Sequence, residues 1–187
     1  MRQILLALVL ATSCGGSGVR LGAADQCESK VPADLRRAIA EKFNGYRLPR
    51  VSDNLEEDID YNRRTGGDGC LGVASADFNG DSQRDYGLLL RLPEGDRVLL
   101  VAALHGSEGW SLEELRLWKS ERNRLYVATA SPGEYRRSES FDYPPSEEGE
   151  LEVYKSTLSG IVTGRTEASG IYYFWTPHGW VHVWVTD

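Results

Sequence analysis

The sequence predicts an α+β domain: an N-terminal amphipathic helix packed on an antiparallel, mostly meandering sheet. Three observations predict it. Leu35, Ala38, Ile39 and Phe43 recur at helical spacing near the start of the chain. Everything beyond the glycine cluster Gly66, Gly67, Gly69 and Gly72 consists of short apolar or alternating runs separated by turn residues. Those runs follow one another closely, as strands joined by hairpins do.

The elements follow in order. Met1-Arg2, a short apolar core from Ile4 to Ala11 and a run of small residues read as a targeting segment. Eight apolar residues are too few to cross a bilayer as a helix. Residues 15–22 are Gly-rich, as a tether is. Pro32 marks the helix start and Gly45 its stop. Segments 86–92 and 97–104 flank a Pro93-Glu94-Gly95-Asp96 turn and predict a hairpin. Ser111-Leu112-Glu113-Glu114 has a helix-start pattern, but Leu115 and Leu117 alternate and the neighbours are strands, so a strand is expected. Residues 131–148 read as a long loop. Segments 125–129, 151–154, 171–175 and 180–185 read as strands, as does the run at Gly160-Ile161-Val162.

The most informative stretch is Asp77-Phe78-Asn79-Gly80-Asp81-Ser82-Gln83-Arg84-Asp85. It sets carboxylate or amide oxygens at loop positions 1, 3, 5 and 9 through Asp77, Asn79, Asp81 and Asp85. The backbone carbonyl of Gln83 is available at position 7. Three carboxylates so close repel one another unless a hard, oxygen-seeking cation such as calcium lies among them. The loop is not an EF-hand, because Ser82 and Leu88 stand where that loop needs Gly and a bidentate Glu. The competing reading is a bare Asn79-Gly80 hairpin turn, its aspartates bonded to nearby amides. Asp58-Ile59-Asp60-Tyr61-Asn62 has a similar oxygen alternation without a glycine and reads as a solvated turn.

Strand, loop and strand together resemble the calcium loop of FG-GAP and VCBS-type repeats, D-x-N-G-D-G-x-x-D followed by an apolar strand. Asp77, Asn79, Gly80, Asp81 and Asp85 match, while Ser82 replaces the second glycine. There is no second full copy, so a propeller is not expected. With its Tyr172-Tyr173-Phe174-Trp175 and Val183-Trp184-Val185-Thr186-Asp187 ending, the chain resembles small exported bacterial proteins carrying one such loop. That resemblance implies a fold and a calcium ion, not an activity.

Leu10-Ala11-Thr12-Ser13-Cys14 resembles a bacterial lipobox. It implies a lipoprotein signal peptide at 1–13, lipidation of Cys14, a tether at 14–26 and a single domain at 27–187. Gly15, rather than Asp, after the cysteine implies the outer membrane. Ordinary secretion with cleavage after Gly22-Ala23-Ala24 is the alternative, to the periplasm or beyond. With Cys14 lipidated, Cys27 and Cys70 remain, and an oxidising compartment pairs them. That bridge is worth about 3–4 kcal/mol by loop closure.

A net charge of −7 argues against nucleic acid and offers no basic patch for lipid, so membrane contact is expected only through the anchor. Glu56-Glu57-Asp58 and Glu147-Glu148 read as solvated faces. His105, His178 and His182 are the only histidines, and no P-loop, HExxH or nucleophile-elbow spacing occurs. The expectation is therefore a non-enzymatic, calcium-stabilised envelope domain with a binding or structural role. One alternative is an inhibitor or recognition module for an envelope protein or glycan. It would use an aromatic face of Trp180, His182 and Trp184, and it requires that face exposed. A second is a hydrolase, which requires a cleft bringing His105 or His182 to an acid or hydroxyl.

Overall fold

A computed structural model describes residues 25–92, 97–119, 123–166, 168 and 170–185. The expected signal peptide, Cys14, most of the expected tether, the turn expected at 93–96 and residues 186–187 lie outside the described residues. The described residues begin with α1 (Gln26–Lys30), α2 (Ala33–Lys42), a 3-10 turn (Val51–Asp53) and α3 (Glu56–Arg64). Strands β1 (Val73–Ala76), β2 (Asp85–Arg91), β3 (Val98–Gly106) and β4 (Gly109–Trp118) then form one antiparallel sheet in that order. In the second sheet, β5 (Leu125–Ala130) pairs with β8 (Gly160–Arg165), which is followed in sheet order by β9 (Gly170–Thr176) and β10 (Gly179–Val185). Between β5 and β8 in sequence, β6 (Gly133–Arg136) and β7 (Val153–Ser156) make a separate hairpin.

The α+β, antiparallel character stands, but the strands divide into two sheets and a hairpin instead of one meander. The reason lies in β2 and β3, whose apolar residues are buried on both faces. Leu88, Leu90, Leu99, Val101 and Ala103 share a cluster with Leu35, Ile39 and Phe43 of the α2 region. Leu89, Leu100, Ala102 and Leu104 pack instead against Leu125, Val127, Ile161, Ile171 and Tyr173 of the second sheet. A sheet covered on both faces needs continuous apolar runs, which hide the alternation that marks each face. Close approach of the two sheets also explains Gly87, where a Cβ would sit 3.1 Å from the Ile161 side chain. The second sheet is covered outside by the hairpin: Tyr135 and Tyr154 lie 4.8 and 5.2 Å from the Phe174 ring.

Two sequence expectations fail. Asp58 to Asn62 is no solvated turn but the middle of α3, which buries only Asp58 and Ile59 and so has almost no apolar stripe. Glu56, Glu57 and Asp58 in its first turn and Arg63 and Arg64 in its last complement the helix dipole. The 131–148 loop contains β6, and its next residue, Arg137, is buried in an ion pair with Glu150 at 2.9 Å. The strand at 111–114 is found, as part of β4.

Candidate functional site

Loop 77–85 joins β1 to β2, and Asp85 is the first residue of β2, paired with Ala76. Its carboxylate is fully buried. One oxygen accepts the Phe78 N–H and the other the His105 N–H, each at 2.8 Å. The side chain thus ties the loop to its own start and to β3. Asp77 accepts the N–H groups of Gly80 (2.7 Å) and Ser82 (2.8 Å). Asn79 accepts from Asp81, and Asp81 from Gln83. Ser82 is at φ 66°, the left-handed conformation in which the motif's missing glycine would be at ease. Holding a serine there costs about 1 kcal/mol.

Burial raises the Asp85 pKa; the His105 and Phe78 N–H bonds oppose this, and the charges of Asp81 and Asp77 add to the rise. The donor chemistry fits calcium: three carboxylates, one amide and the Gln83 carbonyl are all hard oxygens. The arrangement itself is turned inward: Asp77, Asn79 and Asp81 accept loop N–H groups, and Asp85 accepts one from the loop and one from β3. Among the described residues, no group of three His, Cys, Asp or Glu side chains is gathered so as to hold a metal. A carboxylate oxygen accepts more than one contact, so these bonds and a cation are compatible.

Cys27 of α1 is bonded to Cys70, with Cα atoms 5.2 Å apart across 43 residues of sequence. The bridge fastens the helical start to the segment that enters β1.

The stripe on β10 faces inward. Trp180 and Trp184 pack against the inter-sheet core, and His182 is buried. Trp180 meets Phe78 of the loop edge-on at 6.2 Å, so this stripe supports the loop from beneath. Trp184 is covered by the Arg116 guanidinium at 4.7 Å. Arg116 also bonds Glu147 at 2.7 Å, and His182 Nε2 lies 3.3 Å from the same carboxylate. These groups border a cleft of about 610 Å³ that Glu113, Glu114, Tyr173 and His178 also line. Burial lowers the His182 pKa against the opposing pull of Glu147. Burial pushes the Tyr173 phenol well up. His105 stacks on Trp110 at 4.4 Å.

No family model, curated protein or solved structure matches the chain. The likeness of the loop to FG-GAP and VCBS-type repeats therefore rests on its own nine residues.

Sequence reasoning missed a larger cleft, of about 830 Å³, between α3 and the facing edges of β1 and β5. Those edges are tied by Val127 N–H to the Leu71 carbonyl at 2.8 Å, but they form no ladder. Asp58 lines the cleft at 8% exposure, and its Oδ2 is buried with no hydrogen-bond partner. Asn62 also lines it, and accepts the Gly69 N–H at 2.8 Å. At Gly67 a Cβ would fall 2.1 Å from the Asn62 side chain, so the glycine cluster lets the chain pass close over the end of α3. The charge order of α3 is the one sequence signal that could have shown this helix and, with it, the cleft.

Proposed function

We propose that this chain is an exported, non-enzymatic domain whose 77–85 loop binds calcium as a structural ion. Asp77, Asn79, Asp81 and Asp85 would hold the ion by side chains and Gln83 by its backbone carbonyl. One observation carries the reading: Asp85 is a fully buried carboxylate, raised first by that burial, at the end of a loop whose Asp81 and Asp77 charges add to the rise. A divalent cation removes that repulsion, while the two N–H bonds to Asp85 keep the β1–β2 connection in shape without it. The ion then acts on folding stability. In the same reading the N-terminal amphipathic helix covers the first sheet, and the Cys27–Cys70 bridge supports folding in an oxidising compartment. Lipid on Cys14 would anchor the protein in the envelope, at the outer membrane, with a periplasmic or secreted form as the alternative.

Titration calorimetry of calcium into the purified protein tests this. The expected result is one site with a Kd of roughly 0.1–1 mM, selective over magnesium and lost in Asp81→Ala. Heat of binding that survives Asp81→Ala would overturn the assignment. Mass spectrometry of the membrane-extracted protein tests the anchor, by a lipid mass on Cys14 that Cys14→Ser abolishes.

A second reading, a hydrolytic site, is favoured by the His182–Glu147 contact at a cleft. It predicts ester or glycoside turnover that is lost in His182→Gln. Absence of turnover across such a panel rejects it. The recognition alternative through Trp180, His182 and Trp184 has less support, since that stripe packs inward.

A further inference from the structure

We propose that the cleft between α3 and the β1 and β5 edges binds a small organic cation, an ammonium or guanidinium group on an apolar stem, through Asp58. This inference is independent of the calcium loop. The cleft, about 830 Å³, is of the size that small-molecule sites take. Its charged lining residues are Lys30, Asp58 and Asp68, and Lys30 pairs with Asp68 at 2.7 Å. That leaves Asp58 as the charged lining residue with no ion pair among the described residues. Asp58 is 8% exposed, and its Oδ2 is buried with no hydrogen-bond partner among the described residues; a carboxylate oxygen left so costs stability.

The chemistry of the ligand follows from what surrounds Asp58. An anion is repelled. An inorganic divalent ion needs six or more oxygens, and Asp58 has no second free carboxylate beside it. An ammonium or guanidinium brings its own N–H donors and needs a single carboxylate. Val73, Ala74, Val127 and Ala128 supply an apolar wall for a stem of a few carbons, while Ser75 and Thr129 place hydroxyls at the same cleft. The site thus offers one charge and one greasy side, which is the shape of a lysine or arginine side chain or of a free alkylamine.

The test is an amide-resolved NMR titration of the full mature protein with butylammonium, butylguanidinium and a capped lysine amide, with butyrate as control. The expected result is saturable shifts confined to residues 58–68, 73–75 and 126–129, with a roughly millimolar Kd for at least one cation and none for butyrate. Asp58→Asn keeps the side-chain shape and removes the charge, and it should weaken binding about tenfold or more while leaving the rest of the spectrum unchanged. Preference for the capped lysine assigns a protein side chain as ligand; preference for butylammonium assigns a free amine. No saturable shift at those amides would overturn the proposal, and so would shifts that Asp58→Asn leaves intact.

Discussion

Asp85 and Asp58 are both buried aspartates bordering β1, and they are solved in opposite ways. Asp85 gives both oxygens to backbone N–H groups and welds a loop to two strands. Asp58 stands in the first turn of a polar helix, and its buried Oδ2 has no donor among the described residues. A buried acid that is fully bonded is part of the framework. One that is not costs stability, and such a cost points to a partner outside the chain.

A third buried acid, Glu150, gives the comparison its largest test. It pairs with Arg137 and accepts the N–H groups of Ser146 and Glu147. Glu150→Ala leaves the Arg137 charge buried and unpaired, and should destabilise by about 3–5 kcal/mol in chemical denaturation. Asp85→Ala strands one buried and one part-buried N–H group and should cost about 2–3 kcal/mol. Asp58→Asn should act the other way, stabilising by about 1 kcal/mol, because it removes a buried charge that the helix dipole offsets only in part. A loss of stability in Asp58→Asn would break the comparison, since it would mean that the carboxylate is already satisfied.

Smaller effects sharpen it through pH. Burial would raise Glu150, but the Ser146 and Glu147 N–H bonds and Arg137 hold it below the ordinary carboxylate value. Its contribution is complete above that value and lost as pH falls through the lower folded one, so Glu150→Gln should flatten the acid limb of the stability curve. His182 is lowered by burial, so the unfolded chain takes up its proton first. Stability should decline as pH falls from about 7 towards 5, and His182→Gln should remove that decline in thermal unfolding.

Much of this was legible in the residues, though unevenly. Two-residue spacing of acids around Asn79-Gly80 exposes the loop, because ligand or turn chemistry there is local. The strands show as apolar runs, but Leu88 and Leu89 point to different layers, which no local pattern separates. Helix α3 is stabilised by charge order, and by the Thr65 hydroxyl on its last carbonyls, more than by an apolar stripe, so hydrophobic periodicity passes over it. Asp58 looks like any surface acid until α3 is set beside β1 and β5. Burial without a partner is a tertiary property, and the sequence carries no mark of it.

Thermal unfolding decides whether the 77–85 loop is a calcium site that holds the fold. The protein is melted in EDTA, in calcium and in magnesium, with elemental analysis of the same sample. A ten- to hundred-fold excess over a site of this class should add about 1.4–2.7 kcal/mol, a rise of several degrees. A structural calcium site gives that rise in calcium alone, and Asp81→Ala abolishes it. An unchanged melting temperature in a sample that contains no calcium would contradict it and leave a self-bonded turn.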